Sequence, residues 1–124
     1  MTVEIPFRLP SLNEYINVCR SNKFAAAKHK SEIENKIIWF LKRLPKCENP
    51  VFVKFVWYEQ TKKRDKDNVA FAKKYILDAM QKCGVLKNDN NNFIVGFSDY
   101  FVYGNGDKVS ITLTEQPQQA TTGL

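Results

Sequence analysis

The stretch "PVFVKFVWYEQ", residues 50–60, leaves this 124-residue chain the narrowest choice of fold. It is aromatic and β-branched, the composition of a central strand. Other segments read as strands as well. "TVEIPF", residues 2–7, alternates and reads as a short strand. "FIVGFSDYFVY" and "KVSITLTE" flank Gly104-Asn105-Gly106-Asp107, which signals a hairpin. Between the strands the period changes. From about Ser21 to Leu44, Ala26, Ile33, Ile37, Phe40, Leu41 and Leu44 recur at helical spacing. Glu32 can pair with Lys36 one turn on, and Pro45 ends the helix. A second helix is expected from about Asp67 to Cys83, with Gly84 as its stop. "RLPSLNEYI" carries loop chemistry in Pro10, Ser11 and Asn13, and "NDNNN" before the third strand is a loop. The order β-α-β-α-β-β predicts an α+β domain: a small mixed sheet with two main helices, spanning residues 1–115. The polar tail "QPQQATTGL", residues 116–124, is expected to fray.

Composition narrows the classes of function. Hydrophobic residues make up 44% of the chain and include nine Phe, enough for a core without disulfides. The three cysteines, Cys19, Cys47 and Cys83, are widely spaced and form no CxxC pair, which excludes zinc-ribbon and thioredoxin-like chemistry. Cys83 falls on an apolar helix face. "MTVEIPFRLP" lacks the basic start and apolar run of an export signal. No stretch approaches the roughly 18 apolar residues of a membrane helix, so a cytoplasmic chain with no membrane partner is expected. The single histidine, His29, lies between Lys28 and Lys30 with no partner motif and reads as a solvated side chain. Net charge is +6 and pI about 9.3, which suits a polyanion such as nucleic acid or simply a soluble surface.

Negative charge is concentrated inside that positive surround, at "KKRDKDNVAFAKKYILDAM", residues 62–80. On extended chain Asp65 and Asp67 point the same way, and two carboxylates so close repel unless a cation lies between them. Magnesium prefers a couple of carboxylates plus waters. The plainer alternative is a charged surface turn. On a continuous helix Lys74 and Asp78 each fall about 20° from Asp67, whereas Lys73 falls about 240° round. Val69, Ala72, Ile76, Ala79, Met80 and Cys83 form the opposite, core-facing stripe. Phe71 sits near the Asp67 face, to pack on the loop or stack on a base. Asp89, five residues past Gly84, meets the other aspartates only if the chain doubles back or a partner subunit supplies it. Calcium-loop and phosphate-loop motifs are absent: "DKD" has no Gly at the sixth loop position, and no GxxxxGK[ST] or GxGxxG occurs.

"LPSLNEYI", "RDKDN" and "LDAMQKCGVLKNDN", in this order and spacing, resemble the RusA family of Holliday-junction resolvases over residues 9–114. The resemblance rests on Arg64-Asp65-Lys66-Asp67-Asn68, then Asp78-Ala79, Gly84 and Asp89. It implies a homodimeric endodeoxyribonuclease that binds four-way DNA junctions and nicks them symmetrically with Mg2+, or Mn2+ as a substitute, in recombination and repair. Asp65, Asp67 and Asp89 are then the metal-binding, catalytic carboxylates. The family's catalytic lysine maps to Phe71 when counted forward from Asp67 and to Lys74 when counted back from Asp78, because the helix is about three residues longer here. The helical face prefers Lys74. Asn13 and Tyr15 would line the site or order its first loop. Lys62, Lys63, Arg64, Lys66 and Lys73 would engage the DNA backbone, which positions DNA without reading its sequence. Phe97, Phe101 and Tyr103 are candidates for the dimer interface, with core packing as the alternative. Two rival readings remain: a basic DNA-binding protein without catalysis, and a nuclease for other branched DNA such as flaps.

Overall fold

The computed structural model describes residues 1–87, 90 and 92–116. Its elements run β1 (Thr2–Ile5), α1 (Leu12–Ser21), α2 (Lys23–Leu41), β2 (Val51–Glu59), α3 (Lys66–Ala70), α4 (Lys73–Lys82), β3 (Ile94–Tyr103) and β4 (Lys108–Glu115). The chain is α+β with a four-stranded mixed sheet in the order β1-β4-β2-β3. Central β2 pairs parallel with β3 and antiparallel with β4. Val51, Val53, Phe55, Trp57 and Glu59 point to the helix side, where they are buried; Phe52, Lys54, Val56 and Tyr58 point to the other side, partly or fully exposed. The core gathers Ile37 and Leu41 from α2, Tyr75, Ile76, Ala79 and Met80 from α4, and Ile5, Ile111 and Leu113 from the outer strands.

Several expectations are corrected. The residues read as a hairpin do not pair with each other, because β2 lies between β3 and β4. Gly104 and Gly106 do adopt left-handed backbone, at φ +87° and +83°. The turn signal was sound, but a turn reverses the chain without choosing its neighbour. β2 is apolar enough to be buried along one whole face and takes a strand on each edge.

"LPSLNEYI" folds as a helix rather than a loop. Ser11 accepts from the Glu14 amide, and the Glu14 carboxylate accepts from the Ser11 amide, a reciprocal capping box that starts α1. Asn22 ends α1 and at the same time caps α2 through the Phe24 and Ala25 amides. α2 stops at Leu41, not Leu44, and Glu32 pairs back with Lys28 at 4.0 Å rather than forward with Lys36.

The helix expected over residues 67–83 is two helices. At residues 71 and 72 the bonding tightens: the amides of Ala72, Lys74 and Tyr75 reach the carbonyls three residues back. Each such residue advances about 120° instead of about 100°. Over three residues the phase shifts by about 60°, which carries Lys73 from about 240° to within about 60° of Asp67.

Candidate nucleic-acid interface and cleft

Loop 60–65 leaves the end of β2 and is braced at its far side. Arg64 donates to both Glu59 carboxylate oxygens at 2.7 Å, to the Leu9 carbonyl at 3.1 Å and to Glu14 at 3.3 Å. Its side chain is 14% exposed and that of Glu59 7%. Burial works against the charged guanidinium, but the paired carboxylates outweigh it and hold its pKa above the ordinary value. Asn68 accepts from the Asn13 amide at 2.9 Å, fastening α3 to the first turn of α1. Arg64 and Asn68 therefore tie the loop to β2 and α1. Arg64 sits turned inward among carboxylates, away from the surface that its place among the DNA-backbone residues requires. Asn13 contributes its backbone amide to this tie, and Tyr15 lines the cleft described next.

The two aspartates between these braces have different backbone settings. Asp65 is extended, at φ −66° and ψ 151°, and forms the N-cap of α3 without capping through its side chain. Asp67 lies in the first turn of α3, accepts from the Asn68 amide at 2.9 Å, and faces a cleft of about 750 Å3. The extended geometry that would align both carboxylates ends at Asp65. The cleft is lined by Leu12, Tyr15, Ala70, Phe71 and Tyr75 on its apolar side, and by Lys30, Lys73, Lys74, Asp67 and Asp99 on its polar side. Asp89 lies outside the described residues. Asn90, just after it, bonds to the amides of Phe93 and Ile94, and Phe93 bonds to Val51 at the start of β2, the opposite end of that strand from loop 60–65.

Asp99 was missed by sequence reasoning. It stands on β3 opposite Phe55. It accepts from Trp57 Nε1 at 2.8 Å and from Lys73 Nζ at 2.6 Å. The available signal was one carboxylate inside the aromatic run "FSDYF". Lys73, read as a backbone contact, is thus held inside the cleft with its ammonium 4.0 Å from the Phe97 ring centre. Lys74 also lines the cleft but pairs with Asp78 at 3.1 Å, and Asp78 takes a second bond from Lys30 at 2.9 Å. Burial alone would push the Asp78 carboxyl up; hydrogen bonds from Lys30 and Lys74 outweigh it and hold it below the ordinary 3.8. Phe71 packs against Tyr15 at 5.3 Å and Tyr75 at 6.1 Å.

From the cleft a row of rings and ammonium groups runs along edge strand β3. Phe97, Asp99, Phe101 and Tyr103 alternate on the helix-side face. Lys73 lies over Phe97, Lys66 over Phe101 and Tyr103 at 5.7 and 5.5 Å, and Lys62 over Tyr103 at 5.2 Å. From Phe97 to Tyr103 the strand rises about 20 Å. Phe97 stays 50% exposed, whereas Phe101 and Tyr103 are partly buried. Lys63 is exposed on the loop that precedes α3.

Among the described residues no three His, Cys, Asp or Glu side chains gather as a metal site. Asp67 and Asp99 line one cleft, Asp99 with both oxygens already engaged by Trp57 and Lys73, so Asp67 is the carboxylate there open to an oxygen-preferring cation such as magnesium. Among the same residues no helix is long and apolar enough to cross a membrane. No protein-family model matches the chain, and comparison with curated proteins gives no match.

Proposed function

We propose that the protein is a magnesium-dependent endodeoxyribonuclease of the RusA type that nicks four-way DNA junctions as a homodimer. The observation that carries this reading is the cleft lined by Asp67, Asp99 and Lys73, at the end of a lysine–aromatic row. Carboxylates and a half-buried lysine facing the same opening suit phosphodiester hydrolysis; lysines over rings suit a strand whose phosphates and bases both need partners.

In this reading Asp67 holds the cation, with Asp99 beside it. Asp65 and Asp89 keep the metal-binding roles implied by the resemblance. Magnesium, when bound, supplies Lewis acidity toward the phosphate and water. Lys73, already desolvated between Phe97 and Asp99, is placed to stabilise charge that develops on the phosphoryl oxygens. Lys74, on the cleft wall and 59% exposed, is the alternative for that role. Lys62, Lys63 and Lys66 hold the flanking backbone. Two symmetric nicks need two sites, and a two-fold dimer is the economical source of the second.

Nicking assays on a four-way junction, a flap and a linear duplex, with magnesium or with chelator, test this. Paired nicks confined to the junction and dependent on magnesium support the reading. A preference for flaps reassigns the substrate. Junction binding without cutting under any metal makes the protein a binding module.

A further inference from the structure

The cleft is more than a notch for one phosphate. Its volume, about 750 Å3, falls in the range of small-molecule sites. Its apolar wall is a mutually packed ring cluster. Tyr15 and Phe71 lie 5.3 Å apart, and Tyr75 meets both edge-on at 6.1 Å. A shallow phosphate groove would have no use for that much ring surface.

Two buried polar atoms at or near this wall lack partners among the described residues. Tyr75 is 1% exposed, and its hydroxyl makes no hydrogen bond among the described residues. His29, on α2, is not the solvated side chain its lysine neighbours suggest: its Nε2 is likewise buried and unbonded, and its ring lies 6.4 Å from that of Tyr75. Buried polar groups are almost always satisfied, so the orphan hydroxyl of Tyr75, which lines the cleft, suits a ligand with polar atoms on a flat body. Burial pushes the Tyr75 hydroxyl up to about 12, so it is a protonated donor at neutral pH. An aliphatic chain would fill the space and leave the Tyr75 hydroxyl unmet.

The wall beside Tyr75 is cationic. Lys30 and Lys74 both bond Asp78, while Lys30 at 3.8 Å and Lys82 at 3.0 Å share Glu34. Asp78, Glu34 and Lys82 lie in a neighbouring depression that shares Lys30; in the cleft itself Lys30, Lys73 and Lys74 against Asp67 and Asp99 leave one positive charge uncompensated. Asp67 and Asp99 also line the cleft, so an anionic group is favoured next to Lys30 and Lys74 and not next to those carboxylates.

We propose that the cleft binds one unstacked nucleotide unit: its base lies against Tyr15, Phe71 and Tyr75 and meets the Tyr75 hydroxyl, and its phosphate meets Lys30 and Lys74. The same chemistry is offered by a base extruded from a strand and by a free mononucleotide. The first source rests on the nuclease reading above; the second does not.

The test uses the whole chain in chelator, so that no cutting occurs. Deoxyadenosine monophosphate, base-free deoxyribose 5′-phosphate and a four-way junction are each titrated while the aromatic resonances are followed by NMR. The mononucleotide is expected to shift the Tyr15, Phe71 and Tyr75 rings and to bind at least about tenfold more tightly than the base-free sugar phosphate, the scale of one base–ring stack. Phe71→Leu is expected to weaken it about tenfold. Tyr75→Phe removes an orphan donor, so it should fold as well as the parent or better, yet bind the nucleotide several-fold more weakly. Equal affinity for the two small ligands, or nucleotide affinity unchanged in both variants, overturns the proposal. If the junction binds with the ring resonances unmoved, extrusion into the cleft is wrong while junction binding stands. If the mononucleotide binds as described and the junction does not bind, the cleft is a nucleotide site and the nuclease reading fails.

Discussion

Arg64 and Asn68 frame the two aspartates of "RDKDN" and do a different job from them. The segment was legible as concentrated charge, but charge alone did not separate a side chain that braces the loop from one that faces solvent. Glu59, on the buried face of β2, is the partner that decides it, and its position depends on sheet pairing that the local sequence does not encode. Arg64→Ala leaves the Glu59 carboxylate buried and unpaired and is expected to cost about 3 kcal/mol in urea unfolding at neutral pH. A change below about 0.5 kcal/mol, the scale of an exposed pair, would show the brace to be ornamental. Asp78 makes a pH prediction. Its folded pKa is depressed, so its contribution is fully present above its ordinary 3.8 and is lost as pH falls through the lower folded value. Asp78→Asn should therefore lower stability at neutral pH and flatten the acid limb of stability against pH. An unchanged acid limb would remove Asp78 from the network.

At the scale of elements, strands were more legible than helices and pairing least of all. β1, β2 and β4 lie where alternation and β-branching put them, and β2 is central as its composition implied. α1 was hidden because Pro10, Ser11 and Asn13 also suit a loop; the Ser11–Glu14 capping pattern was the overlooked cue. The interval at residues 71 and 72 carries no Pro or Gly, so nothing in the residue types marks the change of phase that moves Lys73 into the cleft. The β3–β4 turn depends on left-handed glycine. Nothing lies within 4 Å of an added Cβ at Gly104, so Gly104→Ala tests backbone conformation alone. It is expected to destabilise by about 1 kcal/mol, measured by urea unfolding. No loss would mean that the turn relaxes to φ below zero without disturbing β4.

Over the whole molecule, the +6 charge meets a place to act. The lysines over β3 form one edge of the sheet, and their contribution to binding should depend on salt. Log affinity for a four-way junction is expected to fall linearly with log salt concentration, and Lys62→Ala or Lys66→Ala should each lower the slope by about one unit. Slopes equal to the parent's in both variants would take this edge out of the DNA path. The architecture was legible as α+β because element order survives errors in pairing. The cleft was only half legible: Asp67 and Lys74 were nominated from spacing, whereas Asp99, Lys30 and Tyr75 reach it through β3 and the packing of α2 and α4. The most direct measurement is cleavage of a synthetic four-way junction in magnesium by the parent protein and by Asp67→Asn, with junction affinity measured in parallel in chelator. Paired nicks by the parent, at least about a hundredfold slower in the variant with affinity kept or raised, are predicted, since a lost cation ligand removes the chemistry and lost negative charge favours DNA. Equal cutting by both proteins would contradict the account.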